Sequence, residues 1–210
     1  MFKNKGIQKL RNKYLWPIER PAEEATGVHG WLNKENEQWL ERLCAEKMGH
    51  VERPFIFCEL GVWEGKTALH LLKKFPSMYY IGIDHFKGSP EHQTNAEWKT
   101  HLPKLKEKAF AHLWPWKDRA TLITQSTNWG ICEIVLAGIK PDIFYIDAGH
   151  ETTDVMQDFL FSYKANERAI VCGDDAKWPS VHKALTILEL NGYKFLKDGN
   201  FWVLQEYSKI

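Results

Sequence analysis

Short apolar runs alternate along this chain with stretches in which apolar residues recur every three or four positions. The runs at 55–60 (FIFCEL), 79–84 (YYIGID), 120–124 (ATLIT), 142–147 (DIFYID) and 168–173 (RAIVCG) are too short for helices and rich in strand formers, so they predict five strands. The segments 66–75, 128–138, 151–164 and 180–192 have helical spacing, and the last ends at Gly192, a glycine of the C′ type. Strand and helix in repeated alternation predict an α/β fold, a parallel sheet with helices on both faces. YKFLKD and FWVLQEY, on either side of Gly199-Asn200, predict a closing hairpin.

Residues 33–49 place Trp39, Leu40, Leu43 and Met48 near one helical face, with Asn33 or Asn36 as the cap. Residues 1–32, punctuated by Pro17, Pro21, Gly27 and Gly30, read as an arm or lid rather than core. The stretch 86–116 is long and polar; its Lys, His and Trp residues suit either a lid over an acceptor pocket or a packed helix. The expected division is an N-terminal arm and helix, 1–50, followed by one domain, 51–210.

Composition narrows the function classes. With 210 residues, 44% hydrophobic and 26% charged, the chain has the make-up of one globular domain that needs no disulfide or metal to fold. A net charge of +1 argues against a dedicated nucleic-acid binder, and no apolar run approaches the roughly 20 residues of a membrane span. Cys44, Cys58, Cys132 and Cys172 have no CxxC spacing, which predicts free thiols in a reducing, cytoplasmic compartment. The basic N-terminus lacks the apolar core of a secretory signal. The composition leaves homo-oligomerisation open. Most of the 10 Trp residues are expected to be packing, and a few to line a binding cleft, where flat rings give area at low entropy cost.

In a parallel α/β sheet, ligands bind beyond the carboxyl ends of the strands. The residues there are Glu59, Asp84, Gln125, Asp147 and Asp174, four of the five acidic. The first β–α turn runs Glu59-Leu60-Gly61-Val62-Trp63-Glu64-Gly65-Lys66-Thr67. It has three residues between its first Gly and Gly-Lys-Thr, where a P-loop needs four, and Glu59 and Glu64 would repel phosphates. A dinucleotide turn, G-x-G-x-x-G, fails on spacing and on charge alike. S-adenosylmethionine has no phosphate and carries a cationic sulfonium and ammonium, so the acidic turn suits it. Asp84, about 20 residues on, stands where a carboxylate accepts from ribose hydroxyls.

Glu59-x-Gly61-x-x-x-Gly65 with Asp84 resembles the first two motifs of the class I S-adenosylmethionine-dependent methyltransferases. The resemblance covers about 55–206. It implies a doubly wound, Rossmann-like sheet of seven strands, mostly parallel with an antiparallel last strand, and makes 51–210 a methyltransferase domain. In that fold adenine lies near the end of the third strand, which brings in Gln125 and Trp129.

A second cluster sharpens the resemblance. The fourth strand ends Asp147-Ala148-Gly149-His150 and the fifth Gly173-Asp174-Asp175. If these strands are neighbours, three carboxylates converge, and each must rise in pKa or recruit a cation. Oxygen-only ligands select Mg²⁺ or Ca²⁺ rather than Zn²⁺. The pattern resembles the metal-dependent, macrocin-type O-methyltransferases that act on sugars and sugar-bearing metabolites. It implies Asp147, Asp174 and Asp175 as ligands of Mg²⁺ or a similar ion, His150 as general base, and a small-molecule hydroxyl as acceptor. A neighbouring cation would keep His150 neutral, and Glu151 or Asp154 would orient its ring from the next helix. Two rivals stand beside this: a non-catalytic module that binds an adenosyl ligand, and a metal-dependent hydrolase that uses the Asp cluster but needs neither the glycine turn nor Asp84.

Overall fold

The computed structural model describes residues 4–22, 27–50 and 53–207. Seven strands form one sheet: β1 (Ile56–Leu60), β2 (Tyr79–Ile83), β3 (Ala120–Ile123), β4 (Ile143–Ile146), β5 (Ile170–Gly173), β6 (Tyr193–Asp198) and β7 (Phe201–Tyr207). Their order is β3-β2-β1-β4-β5-β7-β6. The first five are parallel, and β7 runs antiparallel to both β5 and β6. This is the sheet anticipated from the sequence, each of the five central strands starting within two residues of its apolar run.

Because successive strand residues point to opposite faces, a fully buried parallel strand feeds two cores. On β1, Ile56, Cys58 and Leu60 enter one and Phe57 enters the other. The first core packs under α1 (Lys5–Lys13), α7 (Thr127–Leu136), α8 (Thr152–Ala165) and α9 (Pro179–Leu190). The second packs under α2 (Lys34–His50), α3 (Lys66–Lys74) and α6 (Leu105–Leu113). Two short helices, α4 (Pro90–Thr94) and α5 (Ala96–Lys99), lie between β2 and α6.

The N-terminal segment departs from the expected arm. Asn4 caps α1 by accepting from the Gly6 and Ile7 N–H groups, and Ile7 and Leu10 are buried in the first core with Ile134 and Ile139. Only the later part, residues 28–33, lies over the carboxyl edge of the sheet as a cover. Asn33 caps α2 as expected, accepting from the Asn36 N–H. All four cysteines are free thiols. No helix among the described residues is long and apolar enough to cross a membrane.

Candidate active site

Strand register sets the site. Leu60 pairs with both Ile83 and Ile146, and Ile146 pairs with Gly173. The next residue on each strand, Gly61, Asp84, Asp147 and Asp174, therefore falls in one row along the carboxyl edge. A cleft of about 770 Å³ opens over this row, within the usual range for small-molecule sites.

One end of the cleft is the glycine turn. A Cβ on Gly61 (φ +86°) would lie 1.9 Å from the Asp147 carbonyl oxygen, so glycine is demanded here by the close approach of two strand ends. Asp84 Oδ2 accepts from the Val62 and Trp63 N–H groups at 2.9 Å each, and Oδ1 accepts from Phe86 N–H at 2.6 Å. Those bonds hold Trp63 (φ 51°) and Phe86 (φ 57°) in the left-handed region. A carboxylate has roughly four acceptor positions. Three of Asp84's are taken by backbone, leaving room for one ribose hydroxyl where the sequence reading expected two. Glu59 lies two residues short of that row, buried, and accepts from the Tyr80 hydroxyl. Burial pushes its pKa up to about 8 against the pull of the Tyr80 and Thr67 hydroxyls. The residues of this half fit an adenosyl ligand: Gly61, Glu59 and Asp84 all lie on the cleft, and Asp84 keeps an acceptor position for a ribose hydroxyl.

Beyond β3 the structure corrects the expected adenine contacts. Ser126, Thr127 and Asn128 line the cleft, whereas Gln125 and Trp129 do not, and Trp129 is 68% exposed. The cause is the rotational phase of α7: Gly130 faces inward against Ile83, and its neighbour Trp129 is turned about 100° away into solvent. Gly65, at the far side of the glycine turn, packs on Leu113 and caps α3 rather than lining the cleft.

The other end holds Asp147, His150, Asp174 and Asp175. Ligand atoms of Asp147, His150 and Asp175 lie within 4.8 Å of one another. Asp174 stands beside them, its Oδ1 accepting from Asp175 N–H at 2.6 Å. Burial first, then the charges of Asp174 and Asp175, push Asp147 well above the carboxylate range; burial and Asp175 raise Asp174 likewise. Asp175 (φ 60°) is a third non-glycine residue in the left-handed region, again at the cleft.

His150 lies in the loop ahead of α8, whose first residue is Thr152, and not on the helix. Its Nδ1 is 2.8 Å from Glu91 Oε1 on α4, so Glu91, rather than Glu151 or Asp154, orients the ring. Nε2 stands 2.9 Å from Asp175 Oδ2 but off the line of a hydrogen bond, and is buried without an aligned partner. Burial alone would lower the His150 pKa; the Asp175 and Glu91 carboxylates outweigh it and push it up to about 9. The two carboxylates thus favour the imidazolium, whereas a cation held by the same carboxylates would favour the neutral ring. Mutually repelling, oxygen-only carboxylates are what a hard divalent cation would relieve, so this donor set fits one.

The cover came from outside the motifs. Trp31 packs on Trp63 and Trp98 with ring centroids 5.3 Å apart in each pair, and Trp178 stacks on His150 at 4.9 Å. The abundance of Trp hinted at such a wall; the positions were not legible. A second group, His29, Glu64 and His101, also brings three potential ligands together. Its imidazoles stack face to face at 4.1 Å, so their in-plane lone pairs run side by side instead of converging, and His29 Nδ1 already accepts from the Trp63 indole.

A family model described as "Methyltransferase domain" matches residues 58–176. That is more than half of the chain, and the chain belongs to this family. No curated protein matches it by sequence. In fold it is similar to cofactor-bound Rv0187 from MTB (TM-score 0.60, 14% identity, covering 97% of this chain and 88% of that one). It is similar also to the O-methyltransferase TomG from Streptomyces achromogenes, involved in tomaymycin synthesis and solved in complex with SAM (TM-score 0.55, 12% identity, 96% and 89% covered). A third is apo CalS11, a TDP-rhamnose 3'-O-methyltransferase of calicheamicin biosynthesis (TM-score 0.54, 16% identity, 83% and 81% covered). The expectation of a class I S-adenosylmethionine-dependent methyltransferase stands.

Proposed function

We propose, on the premise of that family membership, that the protein moves a methyl group from S-adenosylmethionine to a hydroxyl oxygen of a small molecule, a sugar or sugar-bearing metabolite, with help from a divalent cation. The observation that carries this reading is the placement of two different acidic ends on one cleft. Asp84 braces the glycine turn at one end, while Asp147, His150 and Asp175 converge within 4.8 Å at the other.

The glycine turn and Asp84 would hold the adenosyl ligand, with Ser126 to Asn128 beside its base. Asp147, Asp174 and Asp175 would hold Mg²⁺ or a similar ion, which as a Lewis acid lowers the pKa of a bound hydroxyl. The methyl carbon forms its bond to the acceptor oxygen as the carbon–sulfur pair returns to sulfur, and the hydroxyl proton passes to His150. Nδ1–H donating to Glu91 fixes the tautomer and leaves Nε2 as the accepting atom. Asp175 must release Nε2 for this, because their contact favours the imidazolium.

The CalS11 name, with its rhamnose acceptor, and the carboxylate pattern favour the sugar class; at 16% identity the likeness is of fold. The test is calorimetric and chemical. S-adenosylhomocysteine should bind and raise the Tm while ATP and NAD do not, and methylated glycoside should form from S-adenosylmethionine only with Mg²⁺ present. Tight ATP binding without a response to S-adenosylhomocysteine would overturn it.

A further inference from the structure

Glu64 sits in the glycine turn yet points away from the cleft and lines none of it. It is buried, 1% exposed, and gathers donors from three parts of the chain. Oε2 accepts from the His29 backbone N–H at 2.8 Å; Oε1 lies 3.0 Å from His101 Nδ1 and 3.2 Å from Lys108 Nζ. Burial would raise its pKa, but these three partners hold the carboxyl below its ordinary range, so it is charged. The tethered segments carry the wall of the cleft: Trp31 lies two residues beyond His29, and Trp98 three before His101. Lys66, also of the turn, adds a bond from Nζ to the Gly30 carbonyl at 2.7 Å.

We infer that Glu64 is a positioning residue that latches the two cover segments, 28–33 and 98–108, to the cofactor turn, so that ordering the turn and assembling the acceptor wall are one event. This rests on reading the cleft as the cofactor and acceptor site. The physical ground is that a buried carboxylate must keep its charge partners: if the turn moves, both covers move with it or Glu64 is left uncompensated. An adenosyl ligand that stiffens the turn therefore stiffens both covers with it.

Hydrogen exchange read by mass spectrometry tests this. In the wild type, S-adenosylhomocysteine should protect 28–33 and 98–108 together. Glu64→Gln keeps an acceptor for His29 N–H but removes the charge. It should speed exchange in both segments without ligand, abolish their shared protection, and weaken S-adenosylhomocysteine about ten-fold, the worth of one charge-assisted hydrogen bond. Lys66→Ala should loosen 28–33 while leaving 98–108 slow. Exchange at both segments unchanged in Glu64→Gln, or a uniform rise across the whole chain, would overturn the latch. Failure of S-adenosylhomocysteine to bind the wild type would overturn the cofactor reading instead, and the ligand-free exchange would still decide the latch.

Discussion

The two ends of the cleft use carboxylates in opposite ways. At the glycine turn, Asp84 spends three of its acceptor positions on backbone N–H groups, so its charge is met by the chain itself. At the β4–β5 end, burial raises Asp147 and Asp174, helped by the charges of Asp174 and Asp175 at Asp147 and of Asp175 at Asp174, and His150 Nε2 lacks an aligned partner. The first end has its charge satisfied; the second holds electrostatic tension that a cation would discharge. On the proposed function, ligand recognition and chemistry would thereby be separated along one edge of the sheet.

Stripping the metal should break the contrast most sharply. EDTA, or Asp174→Asn, should lower turnover by about a thousand-fold or more, the scale of a lost Lewis acid, while S-adenosylhomocysteine affinity by calorimetry stays within a few-fold. Full turnover in EDTA would remove the metal from the mechanism. His150→Ala should lower kcat by about 10²–10⁴-fold, the usual worth of a general base, again without moving cofactor affinity. The opposite pattern belongs to the other end. Asp84→Ala should weaken S-adenosylhomocysteine by about 1–3 kcal/mol, since the freed Val62 and Trp63 N–H groups let the turn relax, and leave the Mg²⁺ dependence of any residual turnover intact.

A pH experiment sharpens the picture without a ligand. Glu59 titrates near 8 when folded, above its unfolded value, so the folded state holds the extra proton. Its contribution to stability is complete below the unfolded pKa and lost as pH rises to about 8. Between pH 6 and 7 the stability of the wild type relative to Glu59→Gln should fall by up to about 1.4 kcal/mol in urea titrations, and level off above pH 8. A flat difference would mean Glu59 is ionised in the fold. The smallest effect is expected from Trp129→Ala, which should leave S-adenosylhomocysteine affinity within two-fold because the side chain is 68% exposed outside the cleft.

What was legible in the sequence follows from how local each signal is. The strands are short apolar runs, and the acids closing them are one step beyond, so Asp84, Asp147 and Asp174 could be placed from pattern alone. Trp129 could not, because one residue of helical phase decides between cleft and solvent. Glu91 acts on His150 and Glu64 on His29 and His101 across 59, 35 and 37 residues of sequence, and nothing local announces such partners. Burial of Ile7 and Leu10 was hidden by the prolines and charges around them, although α1 is amphipathic and only its apolar stripe meets the sheet.

The insertion of β7 between β5 and β6 also bears on how the molecule is made. In the folding chain β5 keeps one edge bare until its outer neighbour, Phe201–Tyr207, about thirty residues further along the sequence, pairs with it. Until then the backbone carbonyl of Asp174 lacks the Trp202 indole that donates to it, at 2.9 Å, in the finished protein. The strands around the glycine turn, β1, β2 and β4, all precede β5 in the chain, so that end can form before β7 closes the Asp174–Asp175 end. A chain cut short before residue 201 would carry an unpaired strand edge and no completed carboxylate site, a species prone to pair with other edges rather than a half-active enzyme.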